Sequence, residues 1–220
     1  MEMVTLSEEN YLKAIFHLTT KDNMLVSTNS IAKKMKTKAS SATDMIKKLS
    51  DKRHVDYHKY KGVNLTYKGR LAAISVIRKH RLWEVFLVKK LNFSWDEVHE
   101  VAEQLEHIKS EKLIKELDTF LDFPTEDPHG DPIPNSEGEM PNTKRVLLSM
   151  VNPGDNCICV GVKDSSASFL QYMDRYKITL GTQISVISKE PFDESMLVMI
   201  NSSRKSISKE VSNSILIKIK

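Results

Sequence analysis

The first third of the chain alternates short helical stretches with a polar hairpin. Apolar residues recur every three or four positions over about 7–19, 30–35 and 40–52, which predicts three helices separated by short breaks. Apolar and polar side chains then alternate on either side of Gly62, over about 55–66, which predicts a β-hairpin with this glycine in its turn. Helix, short helix, turn, helix and hairpin in this order are typical of a winged helix-turn-helix.

The third predicted helix has two chemically different faces. Ala42, Met45, Ile46 and Leu49 form an apolar stripe, and the opposite face carries small hydroxyls followed by lysines. Hydroxyls can approach base edges and lysines can reach phosphates, although both are also common as helix caps and solvated side chains. With the basic residues beside this helix and at the hairpin tip, the predicted DNA contacts are Lys38, Ser40, Ser41, Thr43, Asp44, Lys47, Lys48, Lys59 and Lys61.

The middle third is predicted to be helical and to carry metal-binding side chains. Helical spacing covers 71–91, a second segment that begins near Ser94 or Asp96 and continues through Ile108, and 111–120. A proline-rich run follows from 123 to 134.

Histidines and glutamates line the edges of these predicted helices. His80 and Glu84 lie four residues apart, so they share a face of the long helix. Beside the apolar stripe of the second helix lie His99, Glu103, Glu106 and His107. Half-buried carboxylates repel each other and lose solvation, and a divalent cation would remove both penalties. A solvated acidic helix face is the alternative, because these residue types are common on exposed helices.

The last third is predicted to be a small β domain. Short apolar runs separated by turn signals, with one helix over about 166–176, are typical of an SH3-like barrel. Cys157 and Cys159 alternate on one strand, so both are expected on one face, most simply as core residues. The predicted fold is mainly α with small β parts. Its predicted domains are a DNA-binding domain at 1–72, a helical metal-binding and dimerisation domain at 73–140 and an SH3-like domain at 141–220.

Charge divides along the same lines. The net charge is only +4, but residues 1–72 hold 14 Lys/Arg against 7 Asp/Glu, whereas residues 73–140 hold 8 against 15. A basic first third suits DNA, and an acidic middle third suits cations. No apolar run reaches the roughly 18 residues of a membrane helix, the first ten residues lack an apolar signal core, and there are only two cysteines. We therefore expect a cytoplasmic protein without a membrane partner.

Several motifs together resemble one known family. They are YLKAI at 11–15, YKGVNLT at 60–66, HRLWE at 80–84, VHE at 98–100, LEH at 105–107 and DPHGDPIP at 127–134. In this order, across residues 5 to 134, they resemble the diphtheria toxin repressor/manganese transport regulator family of metal-dependent transcription factors. The tail is similar to the SH3-like (FeoA-like) domain that longer members carry, with a weaker match around 169–181.

The resemblance implies a function and a set of ligands. It implies a homodimeric repressor that binds palindromic operator DNA, uses Fe²⁺ or Mn²⁺ as corepressor and controls genes of metal-ion homeostasis. It implies one metal position at Asn10, Glu103, Glu106 and His107, and a second at His80, Glu84 and His99. Oxygen donors with some imidazole and no thiolate suit Mn²⁺ or Fe²⁺ better than a closed tetrahedral Zn²⁺ site.

The chain departs from the family pattern at two of these positions and at Lys13. Position 10 is Asn, where iron members have Met and manganese members Asp; position 103 is Glu, as in manganese members. Lys13 stands where manganese members commonly have a ligating Glu, and a cationic lysine cannot ligate. Two other functions are alternatives. One is a winged-helix regulator not controlled by metal, and the other is a metallohydrolase, in which the basic winged helix would have no purpose.

Overall fold

The computed structural model describes residues 4–19, 25–141 and 144–219. The chain divides into two compact units. The first unit comprises residues 1–80, 104–111 and 134–139, and the second unit comprises 81–103, 112–133 and 140–220. The domain boundaries drawn from the sequence stay a prediction.

The first unit contains the expected winged helix-turn-helix. Its helices are α1 (Leu6–Leu18), α2 (Thr28–Lys34) and α3 (Ala39–Asp51), and the hairpin follows as β1 (Val55–His58) and β2 (Gly62–Leu65). Apolar side chains from all five elements form one buried cluster. Burial of these side chains fixes the polar face of α3 toward solvent.

The first two helices begin before residues 7 and 30, where the sequence predicts their starts. Thr5 caps α1 and Ser27 caps α2, each through its side-chain oxygen. Thr5 and Glu8 form a capping box, in which each side chain accepts the other residue's backbone N–H. Glu8 is also buried and pairs with Lys48 and Lys52 of α3 at 3.2 and 3.0 Å. Burial alone would raise the pKa of Glu8, but the Thr5 N–H and the two lysines lower it to about 2.

Gly62 has a different role from the one expected. It begins β2 instead of sitting within the turn, and Tyr60 at the hairpin tip has a positive φ of 66° and is 94 % exposed. Gly62 has φ +136°, and a Cβ on it would lie 2.8 Å from the Val26 carbonyl oxygen. Val26 pairs with Val63, the residue after Gly62. A glycine is therefore needed at position 62, where the segment that contains Val26 approaches the hairpin.

Three helices follow the hairpin along the chain. They are α4 (Tyr67–Leu91), α5 (Val98–Leu105) and α6 (Glu111–Phe120). α4 begins four residues before the expected start, and α6 has the expected bounds. α5 ends at Leu105, so the expectation of one helix through Ile108 is wrong. The Ile108 N–H donates to the Leu105 oxygen in a tighter, three-residue turn that ends the helix.

The second unit contains a six-stranded antiparallel sheet with strand order β3-β8-β4-β5-β6-β7. The strands are β3 (Val146–Leu147), β4 (Asn156–Val162), β5 (Gln183–Lys189), β6 (Met196–Ile200), β7 (Ser203–Ile207) and β8 (Ile215–Ile219). The helices α7 (Ala167–Tyr176) and α8 (Lys209–Ser212) accompany the sheet. This confirms the expected small SH3-like domain and, with the helical remainder, the mainly α fold class.

Two local features of this domain differ from what the sequence suggests. Residues 178–181 form one of the short apolar runs that suggest strands, but they are a turn, because Gly181 has a positive φ and the Thr182 N–H donates to the Thr179 oxygen. β7 was not predicted, because its side chains are mostly polar and exposed at the sheet edge. The prediction that Cys157 and Cys159 are core residues holds, because both are buried and neither is in a disulfide. Burial raises the pKa of each thiol to about 11.

Among the helices of the described residues, none combines the length and the apolar character needed to cross a bilayer.

Gly69 lies in the first turn of α4, where its N–H donates to the Thr66 hydroxyl at 3.1 Å. A Cβ at this position would lie 1.9 Å from the His54 carbonyl oxygen. We expect Gly69→Ala to lower the free energy of unfolding by about 1–3 kcal/mol through overpacking, although Ala is the better helix former. Urea denaturation measures this, with the exposed α4 residue Ser75→Ala as the control. Unchanged stability of Gly69→Ala would contradict the close approach.

Candidate metal centre

A buried carboxylate lies in the turn that follows α5. The Glu106 side chain is 1 % exposed, and its Oε2 contacts His80 Nδ1 at 2.5 Å and Lys13 Nζ at 2.6 Å. The short distance indicates that His80 Nδ1–H donates to the carboxylate. The 3.5 Å contact between Lys13 Nζ and His80 Nδ1 therefore joins two donors and is not a hydrogen bond. Burial alone would raise the pKa of Glu106, but the His80 hydrogen bond and the Lys13 charge hold it below its usual range.

The other oxygen of the same carboxylate receives no hydrogen bond from the described part of the chain. Glu106 Oε1 is buried and has no hydrogen-bond partner among the described residues. His107 Nε2 lies 3.7 Å from it, too far for a hydrogen bond. A buried carboxylate oxygen in this state is costly unless a cation binds to it.

His107 is oriented by a residue of α1. Its Nδ1 lies 2.6 Å from Glu9 Oε2, and both side chains are 11 % exposed. A carboxylate on Nδ1 fixes the proton there and leaves the Nε2 lone pair free, which is the arrangement found behind metal-binding histidines. The lone pair belongs to the nitrogen that lies nearest to the unpartnered oxygen of Glu106.

These atoms fit a divalent ion. Two metal–ligand bonds of about 2.1 Å each can bridge donor atoms that lie 3.7 Å apart, as Glu106 Oε1 and His107 Nε2 do. The ion would satisfy the buried oxygen and use the nitrogen that Glu9 has left unprotonated. Carboxylate oxygen with imidazole nitrogen suits Mn²⁺ or Fe²⁺ as well as Zn²⁺.

The two other predicted ligands of this position, Asn10 and Glu103, differ in their exposure and contacts. Asn10 is half-buried on α1, next to Glu9, and its role as a ligand stays a prediction. Glu103 lies on α5 with its side chain 55 % exposed and contacts His99 Nε2 at 3.5 Å. Of the predicted set, the structure brings Glu106 and His107 together and adds Glu9, which the sequence reasoning did not select.

The second predicted set is centred on Glu84, in the second unit. Glu84 is 2 % exposed on the side chain, and its Oε1 lies 3.3 Å from His99 Nδ1. Hydrogen bonds from His99 to Glu103 and Glu84 raise the pKa of this histidine to about 9. His80 precedes Glu84 by one turn of α4, and its Nδ1 is the atom that contacts Glu106.

Two further residues join Glu84 that the sequence reasoning treated only as part of a motif. Asp127 and His129 each have a potential ligand atom, and these atoms and one of Glu84 lie within 4.8 Å of one another. Asp127 Oδ1 accepts the backbone N–H groups of His129 and Asp131 at 2.8 and 2.9 Å. Burial, followed by the charges of Glu84 and Asp131, raises the pKa of Asp127 to about 7.

His129 completes this second cluster. Its Nε2–H donates to the Trp95 carbonyl at 2.7 Å, and its Nδ1 lies 3.6 Å from Glu84 Oε2. Burial would lower the pKa of His129, but the contact with Glu84 raises it to about 8. The clustering of Asp127, His129 and Asp131 in one short run is a signal in the sequence, but nothing there places the run beside Glu84.

The predicted DNA contacts lie on exposed surfaces of the first unit. Exposed positions are Lys38, Ser40, Ser41, Asp44, Lys47, Lys48, Lys59 and Lys61. Thr43 is half-buried, and its hydroxyl donates to the Ala39 carbonyl within α3. Lys48 is paired with Glu8, whereas the side chain of Lys47 is 60 % exposed beside Asp44. The assignment of these side chains to DNA stays a prediction.

Known families match the chain along nearly its whole length. Residues 3–63 match the N-terminal DNA-binding domain of iron-dependent repressors, and residues 66–135 match the metal-binding and dimerisation domain of the same proteins. Residues 146–219 match the FeoA domain.

Individual relatives agree with these matches. A helix-turn-helix transcriptional regulator of Methanocaldococcus jannaschii is 34 % identical over 53 % of this chain and 93 % of its own length. The iron-dependent repressor IdeR of Mycobacterium bovis is 47 % identical over a match that covers 33 % of this chain and only 31 % of that protein. A solved structure of a manganese-dependent transcriptional repressor in complex with manganese has a TM-score of 0.86 and 33 % identity, covering 97 % of this chain and all of its own.

Glu9 provides a direct test of the centre. We expect Glu9→Ala to weaken Mn²⁺ binding roughly 10–100-fold, because His107 loses the carboxylate that fixes its proton and ring. Glu9→Gln, which keeps an acceptor oxygen but loses the charge, should weaken binding less. Isothermal titration calorimetry on the metal-free protein measures both, with the exposed Glu116→Ala as control. Equal affinity in Glu9→Ala and the control would remove Glu9 from the centre.

Proposed function

The chain belongs to the diphtheria toxin repressor/manganese transport regulator family of metal-dependent transcriptional repressors, and from this we propose how it works. The protein binds Mn²⁺ or Fe²⁺ and, as a homodimer, binds palindromic operator DNA and represses genes of metal-ion homeostasis. The observation that carries the proposal is that Glu106 Oε1 is buried, has no hydrogen-bond partner among the described residues and lies 3.7 Å from His107 Nε2. Like the other members of its family, it is a regulator and not an enzyme.

The bound ion supplies concentrated positive charge, and the residues of the chain supply its position. Glu106 and His107 provide an oxygen and a nitrogen, and Glu9 holds the histidine ring in the tautomer that leaves Nε2 free. Asn10 and Glu103 are proposed as the remaining donors of this position, because they stand at positions where family members have ligands. Glu84 and His99, with His80, are proposed as the second position.

The position of Glu9 links the metal centre to DNA binding. Glu9 lies on α1, whose apolar side chains share the buried cluster of α2 and α3. Its partner His107 belongs to the turn after α5, which is also part of the first unit. Metal binds the arrangement that is competent to bind DNA more tightly than the arrangement that is not. This difference in affinity shifts the protein toward DNA binding.

DNA is proposed to bind along the exposed face of α3, with the basic hairpin tip alongside. The hydroxyls at the N-terminal end of α3 reach base edges, and Lys47 reaches phosphate. In a homodimer the two α3 helices would lie about 34 Å apart, one turn of DNA. Exposed apolar side chains in the second unit suit a second copy of the chain, and they are Leu91, Leu113, Phe120 and Phe123. We propose the cytoplasm as the location, because operator DNA is there.

Fluorescence anisotropy of DNA from upstream of the protein's own gene tests the proposal. Mn²⁺ and, anaerobically, Fe²⁺ are titrated in turn, with a chelator added at the end. We expect binding only with metal and its reversal by the chelator, and the midpoints rank the two metals. Equal binding with and without metal would favour the alternative of a winged-helix regulator not controlled by metal.

The histidine of the centre should be essential to the metal response. We expect His107→Ala to lose metal-dependent DNA binding while the dimer stays folded, because the nitrogen donor is removed and no core side chain is truncated. The same anisotropy titration measures this, with sedimentation for the dimer and the exposed His17→Ala as control. A normal metal response in His107→Ala would contradict the assignment of His107 as a metal ligand.

Lys47 should act through phosphate rather than through bases. We expect Lys47→Ala to weaken binding to all DNA sequences alike and to lower the salt slope, −dlog K/dlog[salt], by about 0.9 per subunit. Anisotropy at several salt concentrations measures the slope, and the exposed Lys112→Ala on α6 is the control. An unchanged slope would exclude Lys47 from the phosphate contacts.

A further inference from the structure

One cation of the metal centre is part of the chain. The ammonium group of Lys13, on α1, lies 2.6 Å from Glu106 Oε2, and the Lys13 side chain is only 14 % exposed. His80 Nδ1 lies 2.5 Å from the same oxygen. Oε2 of Glu106 therefore already has a full positive charge and a second donor.

The two oxygens of Glu106 are in opposite situations. Oε2 has both Lys13 and His80, whereas Oε1 has no hydrogen-bond partner among the described residues and faces His107 Nε2. An ionised carboxylate that is almost fully buried needs a compensating cation. Lys13 compensates the carboxylate from one side only.

Lys13 also limits what else can bind. The Oε2 side offers carboxylate oxygen and an imidazole, which are ordinary ligands for a divalent ion. An ion there would lie beside the ammonium group of Lys13, whose side chain is only 14 % exposed, and like charges repel in a protein interior. Lysine has no lone pair to offer while it is charged.

We propose that Lys13 is a built-in cation that fills the Oε2 side of this centre, so that a single divalent ion binds, on the Oε1 side between Glu106 and His107. This rests on the proposed function and adds its metal stoichiometry. Lys13 joins α1 to the turn after α5 without any metal. The ion therefore adds to a connection that Lys13 makes by itself.

Charge reversal at this one position provides the sharpest test. In Lys13→Glu a carboxylate replaces the ammonium beside Glu106 Oε2 and His80, which converts the filled side into an oxygen- and nitrogen-donor site with excess negative charge. We expect this variant to bind one more Mn²⁺ per subunit than the wild type. Equilibrium dialysis of the full-length, metal-free protein against Mn²⁺, followed by elemental analysis, measures the number bound.

Matched variants separate a local effect from a change in net charge. Lys112→Glu on α6 makes the same change in charge at an exposed position and should bind as many ions as the wild type. Lys13→Arg keeps the charge and should also match the wild type. The readout is the difference between proteins, because an ion that Glu84 and His99 hold without His80 would count equally in all of them.

A second measurement covers the case in which Lys13→Glu does not fold. We expect the milder Lys13→Gln to lower the metal-free Tm by several degrees, because buried Glu106 loses its cation, and to show a larger rise in Tm with Mn²⁺ than the wild type. Identical Tm values and identical Mn²⁺ responses in Lys13→Gln and the wild type would overturn the proposal.

The outcomes distinguish this inference from the proposed function. If the wild type binds Mn²⁺ and responds to it on DNA, but Lys13→Glu gains no ion, the inference is wrong and the proposed function stands. If the wild type binds neither Mn²⁺ nor Fe²⁺, the proposed function fails, and the single ion of this inference fails with it. The inference would also be wrong if the wild type bound Mn²⁺ on both sides of Glu106. Equilibrium dialysis would then give the same, higher number of ions per subunit for the wild type and for Lys13→Glu.

Discussion

The proposed metal centre depends on one constraint, the burial of the Glu106 carboxylate. A carboxylate that is 1 % exposed is stable in its ionised form only if positive charge and hydrogen-bond donors surround it. Lys13 and His80 meet this need at Oε2, and nothing in the described part of the chain meets it at Oε1. The chain thus compensates one oxygen of a buried carboxylate by itself, and the other oxygen is the one at which we propose that an ion binds.

α1 connects this centre to the rest of the first unit through a few side chains. Glu8 caps its own helix and pairs with α3, Glu9 orients His107, and Lys13, one turn after Glu9, reaches Glu106. The apolar face of the same helix is buried with the helix that is proposed to read DNA. A change in the charge around Glu106 therefore acts on an element of the DNA-binding domain, without an intermediate.

The second unit has a buried polar cluster of its own around Glu84. One carboxylate oxygen faces His99 and the other faces His129, while Asp127 lies nearby and closes its own loop through backbone N–H groups. Trp95 fixes the proton of His129 on Nε2, because its carbonyl can only accept. Asp127 and His129 thus stiffen the surroundings of Glu84, which keeps its carboxylate in place beside His99.

The sequence by itself determined the winged helix, the helical middle third, the small β domain and the residue types of the centre, because these follow from periodicity, charge and local motifs. The tertiary structure decided which donors meet. α5 ends at Leu105 because of a local turn, so Glu106 and His107 leave the helical line that carries His99 and Glu103. Glu9 and Lys13 share a face of α1, a pattern visible in the sequence. Their partners, however, are more than ninety positions away, and only the packing of the chain brings such distant groups within 2.6 Å.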